Sequence, residues 1–334
     1  MGKKMIAFLT AAVLTVLCFS GAYASSKAAY KAMRQRVEAE HPMELDLGET
    51  DFTWEQLAEL KSLMDGDAAL HFSKRFCNAV FTDRDTEADL NGGTSKLTAE
   101  ILEAMITVMP GLEKITLDKH REARNRIMIP LVEKYPEIHF AWLVKLGGQY
   151  SVSTEATAFS TFRKSSDPNR LTDADLEPLK YVTGLKALDL GHNRVTDLSF
   201  VEWFPEMTVL LLADNRVTDL TPLSKLQHLQ YLEIFMNKIT DLSPLSACAE
   251  LKDLNITTCR VTDLSGLDGC VCLERLWASG NRIGQEAKDA FAAVHPECTV
   301  KYKTKDATSD GWRNHPRYTQ YIRMLKTGKW EPFE

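Results

Sequence analysis

The sequence predicts an α/β solenoid. A parallel β-sheet forms its concave side, with convex helices in the N-terminal half and short 3-10 or turn segments in the C-terminal half. Five segments begin at Leu185, Met207, Leu229, Leu251 and Leu273, each 22 residues after the last. They read LKALDLGHNRVTDL, MTVLLLADNRVTDL, LQYLEIFMNKITDL, LKDLNITTCRVTDL and a decaying LERLWASGNRIGQE. Apolar residues recur at positions 1, 4 and 6, and Asn stands at position 9 in all but the fourth segment. A fixed period of about 20–29 residues with L-x-x-L-x-L-x-x-N is the leucine-rich-repeat pattern.

Each part of the repeat has a structural task. Leu185, Leu188 and Leu190 and their equivalents point inward, where one rung cannot bury them alone and stacked rungs bury them continuously. Asn193, Asn215, Asn237 and Asn281 are read as scaffold, bonding backbone groups left unpaired where the chain bends off the strand. Cys259 takes that position in the fourth segment as a small buried substitute. Asp197, Asp219, Asp241 and Asp263 are expected to cap the convex turn. Position 10 carries a column of cations, Arg194, Arg216, Lys238, Arg260 and Arg282, which would repel itself if unpaired. The neighbouring Asp column is the expected partner, with an anionic ligand along the edge as the alternative.

Strand alternation sends positions 3, 5, 7 and 8 to the concave surface. Val209, Leu211, Tyr231, Phe235, Met236 and Trp277 are therefore expected to be exposed together, rimmed by Asp189, Asp214, Glu233 and Asp253. Exposed aromatic and Met clusters with a polar rim mark protein interfaces. The candidate partner-binding residues are Val209, Leu211, Tyr231, Glu233, Phe235, Met236, Asp253 and Trp277, and the expected ligand is a protein on a host or bacterial surface. A cover by the C-terminal tail or by another copy of the chain is the alternative for this patch. Tyr231 and Trp277 would also suit stacking on a glycan, the second candidate ligand class.

The remaining elements follow along the chain. Residues 1–24 read as a signal peptide: Lys3 and Lys4, an apolar run from Met5 to Phe19, and small residues at Ala22 and Ala24 before Ser25. Residues 25–42 are expected to hold a short helix that caps the array, with Tyr30, Met33 and Val37 on one face. Residues 43–146 read as irregular repeats with true helices, carried by MELDLGETDFTWEQL, LTAEILEAMITVM and LEKITLDKH. Gly147-Gly148 between β-rich segments predicts a hairpin within a connecting stretch, 147–170. The regular repeats occupy 171–303. The tail, 304–334, is basic and aromatic, with Tyr318, Tyr321, Ile322 and Leu325 on one helical face and Gly328 as its stop. It is expected to cap the solenoid, with anchoring to an acidic surface as the alternative.

Composition narrows the function. Removing the signal leaves 38 basic against 46 acidic residues, which lacks the basic footprint of a nucleic-acid binder. No other stretch is apolar enough to span a membrane, so secretion is the expectation. Six cysteines remain, with no Cys-x-x-Cys and no Cys/His spacing suited to zinc. Cys248 and Cys270 share a repeat position, so a disulfide is geometrically possible, but free buried thiols are expected. Metalloprotease, nucleophile-elbow and phosphate-loop motifs are absent. His192 beside Asp214 is the one concave acid and histidine pair, and it reads as a surface salt bridge. The chain is therefore expected to be non-catalytic, without cofactor or metal.

The N-x-[VI]-T-D-L-x-P-L motif of these 22-residue repeats resembles the internalin-type repeat of secreted bacterial proteins. It is also similar to the repeat of the protein phosphatase-1 regulatory subunit, and the signal peptide favours the bacterial group. FAWLVKLGGQYSVST and GWRNHPRYTQY resemble segments of leucine-rich-repeat proteins of gut bacteria. The internalin resemblance implies binding of a host surface protein through the concave face, and hence through Tyr231, Phe235 and Trp277. An internalin-type N-terminal cap and a following immunoglobulin-like domain are not evident in this sequence.

Overall fold

The computed structural model describes residues 27–93, 96–161 and 170–333. The signal peptide and residues 162–169 of the connecting stretch lie outside the described residues. The chain divides into two compact units, Met1–Leu143 and Val144–Glu334.

The first unit opens with α1 (Lys27–Glu40), which buries Val37. β1 (Glu44–Glu49) follows, then α2 (Trp54–Ser62). Thr53 starts α2 with a capping box: its hydroxyl accepts the Gln56 N–H at 3.2 Å, and the Gln56 side chain accepts the Thr53 N–H at 2.9 Å. β2 (Ala69–Phe76) pairs parallel with β1 and antiparallel with β3 (Ala79–Thr82). Repeat logic does not foresee that hairpin. Its turn residues Cys77 and Asn78 both take positive φ, 46° and 62°, a conformation usually signalled by Asn-Gly.

β4 (Glu87–Asp89), α3 (Ala99–Val108), β5 (Lys114–Thr116), α4 (Asn125–Lys134) and β6 (His139–Ala141) complete the unit, with β4, β5 and β6 as parallel neighbours. α2 packs on α3, and Leu57, Leu60, Leu102 and Met105 of the two helices are buried. The helices expected in this half are present.

The second unit begins within β7 (Leu143–Leu146), which pairs with β8 (Tyr150–Ser153) across Gly147 and Gly148 at φ 53° and 76°. A Cβ on Gly147 would lie 2.4 Å from the end of the Leu171 side chain, which would have to shift, and the left-handed φ itself favours glycine there. The strands β9 (Ala158–Ser160), β10 (Ala187–Asp189), β11 (Val209–Leu211), β12 (Tyr231–Glu233), β13 (Asp253–Asn255), β14 (Arg275–Trp277) and β15 (Thr299–Lys301) form one parallel sheet in sequential order. Three helices interrupt or follow them: α5 (Asp173–Leu176), α6 (Gln285–Val294) and α7 (Pro316–Thr327). Leu188, Leu210, Leu232, Leu254 and Leu276 stand in register and are fully buried, as the stacking argument requires.

The polar columns explain the bends. Asn215 Oδ1 accepts the Val195 N–H at 2.9 Å while its Nδ2 donates to Leu190 O at 2.8 Å, and Asn237 and Asn281 repeat both bonds one and three rungs on. Cys259 donates its thiol to Ile234 O at 3.3 Å in the same register, so it replaces the donor half of the amide. Each turn aspartate accepts the first N–H of the following 3-10 segment. Asp197 takes that of Ser199 at 2.9 Å and Asp241 that of Ser243 at 2.8 Å. This engagement corrects the expected ion pairing along the edge. Among the described residues Arg194, Arg216, Lys238, Arg260 and Arg282 are exposed and form no ion pair.

Candidate functional site

The leucines fill one side of the seven-stranded sheet, and the alternate residues of each strand form two columns on the other. One runs Ala158, Ala187, Val209, Tyr231, Asp253, Arg275; the second runs Ser160, Asp189, Leu211, Glu233, Asn255, Trp277. The sequence expectation placed this face in solvent. It is covered instead by the chain's own C-terminal segment. Val209, Leu211, Tyr231, Glu233, Phe235, Asp253 and Trp277 are all buried, and only Met236 of the eight candidate residues stays open, at 46% exposure. Asp189, Glu233 and Asp253, expected as an exposed rim, lie under the segment as well. The physical reason is mutual: an apolar patch and an apolar helix face each need a cover, and each supplies the other's.

The segment returns across the face from β13 toward β9. Asn255 Nδ2 donates to Ala307 O at 2.8 Å and Trp277 Nε1 to Ser309 O at 3.0 Å. Trp312 then packs its ring 5.5 Å from Tyr231 and 5.1 Å from Trp277. His315 accepts the Arg317 N–H to begin α7, and the left-handed Gly328, φ 71°, ends it. α7 lies on β9 and β10, burying Tyr321 and Met324. Past the helix, Gly328 O accepts the N–H groups of Thr157 and Ala158, and the Trp330 N–H donates to Thr157 Oγ1 at 2.7 Å. The tail thus closes the face of the array, where the sequence reading expected it to cap the end.

Two buried carboxyl groups hold it. Glu233 Oε1 accepts three hydrogen bonds, from Tyr231 Oη at 2.7 Å, Trp312 Nε1 at 2.7 Å and Tyr321 Oη at 3.2 Å. Burial pushes the Glu233 carboxyl above its ordinary pKa, against the pull of those donors. Asp253 sits between the guanidinium groups of Arg275 and Arg317, and Arg317 Nη2 reaches Glu274 at 2.6 Å. Arg275 also lies 4.6 Å from the Trp312 ring centre. Tyr231 and Trp277 are covered, so neither ring is open to a sugar.

The cover is incomplete. Between β10–β12 and α7 lies a cavity of about 530 Å³. Leu211, Ala213, Phe235, Tyr318, Ile322 and Leu325 supply apolar walls. Asp189 and Glu233 reach it from the sheet, while exposed Arg313 and Lys326 stand at its mouth. Asp189 accepts the Gly191 N–H and the Ser160 hydroxyl, each at 2.8 Å, and burial raises its pKa too. His192 Nδ1 lies 3.0 Å from Asp214, which Arg170 also approaches at 3.5 Å. This histidine makes the contact with Asp214 that the sequence anticipated. Among the described residues no three His, Cys, Asp or Glu side chains gather as a metal site requires.

Sequence reasoning missed four residues of this arrangement: Trp312, Arg317, Tyr321 and Met324 as partners of specific concave side chains. The signal was present as complementarity, a basic aromatic tail against an acidic aromatic face, but register across that distance is not encoded in any local pattern. Also unforeseen is the ridge beside the strands, where His192, Asp214, Met236 and Thr258 all adopt left-handed φ between 50° and 61°.

Sheet, leucine stack and asparagine ladder together define a leucine-rich-repeat protein. The family described as leucine-rich repeats in two copies matches residues 205–247 and again 227–269. Similar solved structures include an internalin (inlF) of Listeria monocytogenes, 16% identical, TM-score 0.42, covering 89% of this chain and 92% of that one. A leucine-rich-repeat protein of Leptospira interrogans is 17% identical, TM-score 0.40, covering 74% and 62%. A second Listeria internalin, inlC2, is 17% identical, TM-score 0.34, covering 75% and 91%. No curated protein matches the sequence.

Proposed function

We propose that the chain is an exported, non-catalytic binding protein whose ligand is another protein. The contact surface is the composite of the concave sheet's rim and α7, around the mouth of the cavity. The observation that carries this reading is the cavity itself. It is an apolar-walled opening with a few converging polar groups, left between the sheet and the helix that covers it. Met236 stands exposed next to Phe235, which lines the cavity, so an anchor pocket and an exposed apolar rim adjoin. Repeat arrays offer such surfaces without chemistry of their own, and no helix among the described residues is long and apolar enough to cross a membrane.

A photo-crosslinking residue placed at position 236 tests the reading, with the exposed Val271 as the control site. Incubated with host or bacterial surface extracts, the position-236 protein should capture a discrete protein that the position-271 protein does not. Equal capture at both sites, or none alongside retention on polysaccharide, contradicts the proposal. Export is tested separately: the released protein should begin at Ser25.

A further inference from the structure

The cavity between β10–β12 and α7 has two chemically different ends. Asp189 and Glu233 form its floor, 6% and 4% exposed, whereas Arg313 and Lys326 line its mouth and are exposed. Leu211, Phe235 and Ile322 are among the walls between. Every hydrogen bond to the floor comes from a neutral donor: Ser160 and Gly191 on Asp189; Tyr231, Trp312 and Tyr321 on Glu233. Among the described residues no lysine or arginine pairs with either carboxylate; the His192 imidazole acts on Asp189 and is itself engaged by Asp214. Buried carboxylates without a cation are costly in their charged form, and a cation brought by a ligand offsets that cost.

Size narrows the ligand further. A cavity of about 530 Å³ is in the range of small-ligand sites. It admits one long side chain with its backbone, and not a helix or strand. An aliphatic ligand would leave the floor uncompensated. A basic residue inside a chain would satisfy the floor and leave Arg313 and Lys326 without an anion.

We infer that the cavity takes the C-terminal lysine or arginine of a partner polypeptide. The side-chain cation meets Asp189 and Glu233, the stem lies along the apolar walls, and the α-carboxylate sits at the mouth between Arg313 and Lys326. This rests on the reading that the ligand is a protein that meets the cavity mouth.

Calorimetric titration of the full chain with short peptides tests it. Peptides ending in arginine or lysine as the free acid should bind. Replacement of that last residue by norleucine should weaken binding about tenfold or more, the worth of a charge-assisted hydrogen bond. The arginine amide should bind about twofold to fivefold more weakly than the acid, as for an exposed ion pair. Glu233→Gln keeps one oxygen for its three donors, and Asp189→Asn keeps one for the Gly191 N–H while the Ser160 hydroxyl turns to accept from the new amide nitrogen; together they should erase the preference for arginine over norleucine. Leu325→Trp, filling the cavity from α7, should abolish binding without touching the floor. Equal binding of the norleucine peptide, or undiminished binding to the Leu325→Trp protein, overturns the inference. An amide that binds as well as the acid overturns the terminal-carboxylate assignment. Capture at position 236 with no peptide binding removes the basic anchor and leaves the protein-binding reading standing. Peptide binding without capture keeps the basic anchor and removes only position 236 as part of the contact surface.

Discussion

Trp312 Nε1 donates to Glu233 Oε1 at 2.7 Å, joining residues 79 apart in sequence. The same indole packs against Tyr231 and Trp277, so one side chain ties the C-terminal segment to β12 and β14. Trp312→Ala removes a fully buried ring and strips Glu233 of a donor. It is expected to cost about 3–5 kcal/mol in denaturant unfolding, as large aromatic truncations do. Limited proteolysis of that variant should cut within 304–333 before the repeats. A variant as stable and as resistant as the parent would show that the ring is not a fastener.

Asp253 is completely buried between two guanidinium groups. Asp253→Asn leaves Arg275 and Arg317 buried with no anion between them, and about 3–5 kcal/mol of destabilisation is expected. Arg317→Met is expected to cost less, because Arg275 still neutralises Asp253. The order of the two denaturation midpoints is the check, and a reversed order would count against this account of the triad.

The floor carboxylates make a pH signature. Burial raises the pKa of both Asp189 and Glu233 above their ordinary values of 3.8 and 4.5. The folded state therefore holds these protons more tightly than the unfolded chain. Their contribution to stability is present below the ordinary values and is lost as pH rises through the folded-state ones. The stability of the parent, minus that of the Asp189→Asn, Glu233→Gln protein, should fall with rising pH from about 4 upward. A difference that rises over that range would contradict the sign.

The thiols should sort by burial. Cys248, Cys259 and Cys270 are free and buried, and burial pushes them up to about 11, 11 and 12. Cys248 and Cys270 instead donate to the carbonyls of Leu223 and Leu245 one rung back. In the native protein an aromatic disulfide reagent should modify the exposed Cys272 first. Cys248, Cys259 and Cys270, and the fourth buried cysteine Cys77, should react only on unfolding. In the protein that begins at Ser25, fewer than six thiols after denaturation would reveal a disulfide, and one joining Cys248 to Cys270 would contradict the structure.

The repeats were legible because their cause is periodic. Leu188, Asn215 and Asp241 each recur at a fixed spacing, and a rung stacks only on a rung like itself. The Gly147-Gly148 hairpin was legible because few residues take positive φ at both positions of a turn. The β2–β3 hairpin was not, since Cys77-Asn78 meets the same need with residues that do not advertise it. Concave residues such as Tyr231 were assigned to the right face and the wrong environment. Alternation tells which side of the sheet a side chain takes, and whether that side is wet depends on where Trp312 and Tyr321 settle. That is a tertiary choice, made by complementarity and not by period.

The closed concave face depends on the C-terminal segment lying across the sheet. The most direct measurement is the contact of the Trp312 indole in solution, by nuclear Overhauser spectroscopy with labelled tryptophan and tyrosine. The Trp312 indole N–H is expected to be protected from solvent exchange, and the ring protons should show cross-peaks to Tyr231, whose ring centre is 5.5 Å away. A freely exchanging indole N–H with no Tyr231 cross-peak would contradict the closed face. It would return Tyr231, Phe235 and Trp277 to solvent as an open binding surface.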